Sequence, residues 1–277
     1  MPGDALIGPV EPPDLHVMTY NIRRRAARVS PRSPDYGPRR RPLLRAILQR
    51  ELPTIVGIQE AMPDQVAFVA DVLGPAYRAV GRGRNPDGSD ERCAILYDTR
   101  RIALERWSQL ALSDTPDVAG SRTWGNLLPR MLVSANLIDT ATGIPFRVLN
   151  AHLDHLSRAA RARSAEMIVD LVRRSDLPTL VLGDMNSDTR SAPYRTLTSG
   201  PLRAAWTAAR VRLTPEWDTF SRYRAPKTGG KRIDWILVSD AVTVDAVGIN
   251  AVRFDGAAAS DHEPVQARIR FESTALP

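Results

Sequence analysis

The 277-residue chain has one cysteine, Cys93, two lysines, Lys227 and Lys231, and only 6% aromatic residues. A single cysteine excludes an intramolecular disulfide and a zinc site built on several thiolates. Its place in the apolar run Cys93–Tyr97 reads as a buried, inert thiol. No apolar run approaches the roughly 20 residues of a membrane-spanning helix. Residues 1–14 lack the basic start and apolar centre of a secretory leader. A cytoplasmic, soluble protein with a flexible segment over 1–14 is therefore expected. Aromatics are not interleaved with basic residues, which argues against a stacking platform for single strands, and no recognised DNA-binding module is appended.

Arginine, by contrast, is abundant. All but two of the 38 Lys+Arg are arginine, and the formal net charge is +7. The surplus suits a polyanionic substrate without identifying one. With so many alanines alongside, it is equally compatible with a base-composition bias in the coding DNA. It is densest over Arg23–Arg41, where two arginine triplets flank a Pro/Ser/Gly stretch. This segment reads as a mobile surface loop, either a phosphate-binding arm or a solvated insertion.

At 43% hydrophobic residues the chain has enough apolar material for one large core. Short apolar stretches between polar turns predict strands at His16–Tyr20, Ile55–Gln59, Cys93–Tyr97, Ile102–Leu110, Leu132–Ile138, Phe146–Ala151, Thr179–Leu182, Ile233–Val238, Val242–Ile249 and Val265–Phe271. Helices are expected over Leu43–Glu51 and Gln65–Leu73, each near a proline, and over Ser157–Arg174, which opens on a capping serine. Many strands with few helices suggest two sheets face to face with helices outside, in one domain over 15–277.

Polar residues gather at the ends of the apolar strands: Asn21, Glu60, Asn150-Ala151-His152-Leu153-Asp154, Asp184-Met185-Asn186, Asp234 and Asp261-His262. Each alone is ordinary, since a lone Asp at a strand end usually serves a turn or a cap. Together and in this order, Asn21, Ile58-Gln59-Glu60, Asn150-x-His152, Gly183-Asp184-Met185-Asn186, Ile233-Asp234 and Ser260-Asp261-His262 resemble the motif set of the endonuclease/exonuclease/phosphatase superfamily. The resemblance runs over about residues 15 to 271. It is closer still to a bacterial branch of metal-dependent hydrolases, through Gly81–Gly88, Leu112-Ser113-Asp114-Thr115-Pro116 and Leu128-Pro129-Arg130. Asp114 and Ala151 depart from that branch's usual Glu and Thr. The family implies an α/β fold of the deoxyribonuclease I type, a four-layer α/β/β/α sandwich of two mainly antiparallel sheets flanked by helices.

The same residue types suit phosphoester hydrolysis. In-line attack needs a base for the water, neutralised equatorial oxygens and a stabilised leaving group. Glu60 is an oxygen ligand suited to Mg²⁺, with Mn²⁺ a plausible substitute, and Asn21 adds a carboxamide oxygen or orients a water. Asp184 is the expected general base, with Asn186 steadying the water. His152 and His262 are expected at the phosphate, one of them oriented by Asp261 or Asp234. Arg130 and Asn150 are expected to contact the substrate, Arg130 through a planar fork. Asp154 and His155 divide evenly between a role in the site and capping the next helix, whereas His16 reads as structural. Gly81–Gly88 lacks the helix a dinucleotide site requires and reads as a mobile loop by the cleft.

These observations predict a Mg²⁺-dependent phosphoesterase, monomeric, acting on a sugar, lipid or other small-molecule phosphate. A DNA or RNA endo- or exonuclease is the alternative, and a catalytically silent phosphate-binding module a remote one. A zinc hydrolase would need three tight ligands that four histidines, clustered only at His152 and His155, do not supply.

Overall fold

The computed structural model describes residues 4–26 and 28–272. Two mixed sheets pack face to face. The larger contains β1 (Leu15–Asn21), β2 (Ile55–Ala61), β3 (Tyr77–Val80), β4 (Arg92–Asp98), β10 (Val211–Arg212), β12 (Val242–Ile249) and β13 (Val265–Phe271), in the order β10-β12-β13-β1-β2-β4-β3. The smaller contains β5 (Ile102–Ala111), β6 (Met131–Asp139), β7 (Pro145–His152), β8 (Thr179–Asp184), β9 (Leu202–Ala204) and β11 (Asp234–Ser239), in the order β5-β6-β7-β8-β11-β9. Among the described residues, only β1–β2, β10–β12 and β7–β8 pair in parallel. The expected strands are all present. Edge strands β3, β9 and β10 are too short to carry a periodic signal of their own.

Alternation along each strand divides the side chains between layers. Val17, Ile55, Ile95, Val148, Leu182, Ile236 and Ala267 fill the space between the sheets, where Phe146 and Phe271 meet at 4.6 Å. The opposite faces take the helices. Met18, Val56 and Ile58 pack on α1 (Gly37–Glu51) and α2 (Pro63–Leu73) through Leu44, Leu48 and Val69. Leu149, Val181 and Leu237 pack on α3 (Arg158–Arg173) through Ile168 and Val172. Ser157 caps α3 by accepting from the Ala160 N–H at 3.1 Å. Two short helices, α4 (Ala192–Thr198) and α5 (Ala205–Ala208), were not anticipated, being only one to two turns long.

Helix α1 begins six residues before the expected Leu43, so part of the supposed Arg23–Arg41 loop is helical. Pro38 stands in the first turn, where its missing N–H costs little, and Pro42 is accommodated inside the helix. Arg40 is buried, and its guanidinium donates to the carbonyls of Ile22 at 2.9 Å, Arg23 at 3.1 Å and Arg24 at 3.2 Å. The loop expected over Gly81–Gly88 folds back on itself. Gly83 donates to the Gly88 carbonyl at 3.0 Å, and a Cβ at Gly83 would sit 1.9 Å from the Ser89 oxygen.

The segment ahead of β1 lies against the larger sheet. Backbone N–H groups of Leu6, Ile7 and Gly8 donate to the buried Glu51 carboxylate at 2.8, 3.1 and 3.2 Å, and Asn250 Nδ2 joins them at 2.8 Å. Residues 1–3 of the expected flexible segment, and 273–277 at the other end, lie outside the described residues. Among the described residues, no helix is long and apolar enough to cross a membrane.

Candidate active site

Strand direction brings the polar strand ends to one edge of the sandwich. β1, β2, β7 and β8 end there, and β11 and β13, antiparallel to β8 and β1, begin there. In register, Asp184 stands beside His152 on one side and Asp234 on the other. Gly183 makes this possible, because a Cβ there would meet the Ala151 carbonyl oxygen at 2.1 Å.

Asp184 is buried at the centre. Its Oδ2 accepts from Asn21 Nδ2 at 3.0 Å and lies 3.5 Å from His152 Nε2 and 3.8 Å from His262 Nε2. Its Oδ1 accepts from the Asn186 backbone N–H at 2.9 Å. Asn186 adopts φ +46°, which asparagine tolerates, and its Nδ2 donates to the Leu153 carbonyl at 3.0 Å. Burial and the neighbouring Asp234 push the Asp184 carboxyl up to about 7.

The two histidines are held in different charge states. His262 Nδ1 lies 2.9 Å from Asp234 Oδ2, and Phe220 packs on the ring at 4.7 Å. Burial opposes its charge, but Asp234 and Asp184 prevail and push its pKa up to about 10. Burial, then the Arg130 and His262 charges, hold His152 well below the usual range, so it is neutral. Between the two sequence-level partners for His262, geometry selects Asp234. Asp261 instead faces Arg23, whose Nη1 is 3.7 Å away. Asp184, Asp234 and His262 also offer ligand atoms within 4.8 Å of one another. Because Asp234 already pairs with the ring, this trio reads as an oriented imidazole rather than as a metal cage.

Glu60 reaches the site through a backbone irregularity. Simple alternation would send it to the helix face with Val56 and Ile58. A register shift between Ile58 and Ala61, with φ +61° at Glu60, turns it back. It accepts from Asn21 Nδ2 at 3.0 Å and from the Arg24 N–H at 3.2 Å. Burial works against its charge, but the Asn21 amide and the His262 and Arg23 charges hold its pKa below the usual range. Asn21 was expected to add an oxygen or to orient a water, and here its Oδ1 accepts from the Arg23 N–H at 3.0 Å. Its amide nitrogen, facing Glu60 and Asp184, orients those carboxylates.

Arg130 is almost fully buried at the rim, its Nη2 2.7 Å from His155 Nδ1 and its Nε 3.4 Å from Asp154 Oδ2. Asp154 Oδ1 also accepts from the Ser157 N–H at 2.6 Å, so one carboxylate contacts both Arg130 and the start of α3. The expectation for Asn150 as a substrate contact is corrected. It is fully buried between the sheets, donating to Ile58 O at 3.1 Å and Ala94 O at 2.9 Å and accepting from Gln59 Nε2 at 2.8 Å. Both amide hydrogens and its oxygen are engaged inside the sandwich.

Several residues at the site were not singled out from sequence. Thr219 Oγ1 accepts from the Asp234 N–H at 3.1 Å, so the segment before β11 supports the dyad. Arg84 is buried against Asp90 at 2.8 Å and Glu91 at 2.7 Å, and Arg24 reaches Glu91 at 2.6 Å. Arg23 pairs with Asp35, which also accepts from the Tyr223 hydroxyl at 2.5 Å. Only the arginine richness of 23–41 hinted at these contacts.

The model of the family described as Endonuclease/Exonuclease/phosphatase matches residues 18–262. No curated protein matches the chain. Among solved structures, an endonuclease/exonuclease/phosphatase family protein from Bacteroides thetaiotaomicron is 29% identical, with a TM-score of 0.87 over 95% of this chain and 100% of that one. A mannosyl-6-phosphatase from the same organism is also 29% identical, with a TM-score of 0.84 over 93% of this chain and 100% of that one. D. rerio TDP2, solved with a single-strand DNA product, is 17% identical with a TM-score of 0.69 over 93% and 99%, a likeness of fold alone.

Proposed function

Since the chain belongs to the endonuclease/exonuclease/phosphatase family, whose members hydrolyse phosphoesters, we propose that it is a divalent-metal-dependent phosphoesterase with Asp184 as general base. The observation that carries this reading is the convergence on one Asp184 oxygen of Asn21, neutral His152 and the charged His262–Asp234 pair. Asp184 accepts the proton of the attacking water as the new oxygen–phosphorus bond forms and the ester bond breaks. Asn186, tied to Leu153, steadies that water. His262 donates from its free Nε2 to an equatorial phosphoryl oxygen, and His152 offers a second, neutral contact. Arg130, pinned by Asp154 and His155, presents its remaining N–H groups to the phosphate.

Glu60 and Asp261 fit a hard cation. Their Oε2 and Oδ2 both lie 3.7 Å from the Arg23 guanidinium, so the two carboxylates already converge on positive charge. They would hold Mg²⁺ or Mn²⁺, with Asn21 orienting Glu60. The ion would supply charge neutralisation and polarise the phosphoryl group.

A small-molecule phosphoester, foremost a sugar phosphate, fits best. The Arg24–Glu91–Arg84 ion network ties the segment after β1 to the Gly81–Glu91 loop beside Glu60, so these arginines are engaged by a carboxylate rather than lined up for a polyanionic backbone. The 29% identity to a mannosyl-6-phosphatase points the same way. A nuclease is the second reading, favoured by a cavity of about 450 Å³ lined by Arg25, Arg28 and Arg41.

Phosphate release and strand cleavage would be measured with Mg²⁺, Mn²⁺ or EDTA, using hexose phosphates, an inositol phosphate, a sphingomyelin-type lipid, abasic duplex DNA and RNA. Metal-dependent turnover strongest on a sugar phosphate and lost in Asp184→Asn supports the proposal. Preferred cleavage of nucleic acid would move the second reading to the front. Phosphate-ligand binding without turnover on any substrate would sink the catalytic reading.

A further inference from the structure

Arg23 leaves the end of β1 with φ +56°, a left-handed conformation that a non-glycine residue adopts only when its surroundings hold it there. Backbone contacts do so, its N–H donating to Asn21 Oδ1 at 3.0 Å and its carbonyl accepting from Arg40 Nη1 at 3.1 Å, and a fork-to-fork pair fixes the side chain. Nε and Nη2 donate to the two oxygens of Asp35 at 3.0 and 3.1 Å, and the Tyr223 hydroxyl fixes Asp35 from the other side. The planar guanidinium is permanently charged, so this clamp sets both its position and its plane. Its remaining nitrogen, Nη1, stands 3.7 Å from Glu60 Oε2 and 3.7 Å from Asp261 Oδ2. These are charge contacts rather than good hydrogen bonds. The Glu60 and Asp261 side chains are only 14% and 9% exposed, so solvent screens them little.

We infer that Arg23, clamped by Asp35 and Tyr223, is a resident counter-cation that competes with the divalent metal for Glu60 and Asp261 and sets how tightly that metal is held. The inference rests on the metal reading above. A fixed positive charge next to a cation site weakens metal binding in proportion to their closeness. It also lets the two carboxylates stay paired in the folded chain without a metal. Loose metal binding of this kind suits Mg²⁺, which is abundant and keeps much of its own water. Asp35 takes no part in holding the metal. It is a positioning residue acting through Arg23.

The test is a Mn²⁺ titration of the full chain, by calorimetry and by the spin resonance of free Mn²⁺, for wild type, Arg23→Gln and Arg23→Lys. Each protein is also melted in EDTA and with Mn²⁺. Arg23→Gln should bind Mn²⁺ about ten-fold more tightly, melt lower in EDTA, and regain more stability than wild type when Mn²⁺ is added. Arg23→Lys keeps the charge and should stay nearer to wild type in affinity, which separates charge from packing. Unchanged or weaker Mn²⁺ binding by a well-folded Arg23→Gln, beside a wild type that binds, would overturn the inference alone. A wild type that neither binds Mn²⁺ nor melts differently with it would overturn the metal reading and this inference together.

Discussion

Asp184 is a carboxylate set among donors and close to another carboxylate, Asp234, and burial together with that neighbour disfavours its charge. Replacing it with the nearly isosteric asparagine removes the proton acceptor while relieving that repulsion. Asp184→Asn should therefore lose about 10³-fold in kcat with a melting temperature equal to or above wild type, read by steady-state kinetics and calorimetry on one preparation. Asp234 acts one step further out, holding the His262 ring at 2.9 Å and sustaining its charge. Asp234→Asn should lower kcat about 10²-fold and leave KM nearly unchanged, because the partner affects charge stabilisation more than ground-state binding. A KM-only effect would show that His262 binds substrate without assisting the reaction.

Two elements decide which strand-end residues reach the cleft. Along β7, Asn150 and His152 share a face, but two residues of strand separate them by about 6.7 Å in depth. His152 therefore emerges at the edge while Asn150 stays between the sheets, where it bonds to β2 and β4 and where Gly57 leaves room for its amide, about 3.0 Å from a would-be Cβ. Asn150→Ala would leave two carbonyls and the Gln59 amide with lost partners. It should cost about 2–3 kcal/mol of stability, seen as a lower urea midpoint, while the folded fraction keeps a wild-type KM. A raised KM without loss of stability would restore Asn150 to the substrate site. On β2 the decision is made by the bulge, which turns Glu60 from the helix face to the cleft.

At the scale of the whole molecule, the segment before β1 helps close the larger sheet. Three backbone N–H groups and the Asn250 amide surround the Glu51 carboxylate. Deleting the residues up to Gly8 would strip most of these donors from a buried charge and should destabilise the fold by about 3 kcal/mol or more, measured by chemical denaturation. His16 completes this corner, with Nδ1 2.9 Å from Gly8 O and Nε2 3.0 Å from the Gln266 amide. Burial lowers its pKa, although nearby Glu51 opposes the shift. The unfolded chain thus takes up the proton first, from about pH 6.5 downward. The contribution is fully present above that pH and is lost as pH falls through it. The melting temperature should drop between pH 7.5 and 5.5 by more in wild type than in His16→Gln, and equal slopes would remove His16 from the account.

The sequence by itself placed ten of the strands, because short apolar runs between polar turns report burial directly, and its motif order pointed to the layered α/β class. The order of polar strand ends also identified Asp184, Glu60, His152, Asp234, Asp261 and His262 as residues to bring together. Tertiary structure alone decided depth, orientation and pairing. Asn150 lies below the cleft and His152 at it, though both fit one strand pattern. His262 takes Asp234, 28 positions away, rather than its neighbour Asp261. Glu60 turns inward at a bulge that its sequence does not announce, and Arg23 leaves a stretch that reads as a surface loop to stand between two carboxylates. Each depends on contacts between residues far apart in the chain, whose geometry local propensity does not encode.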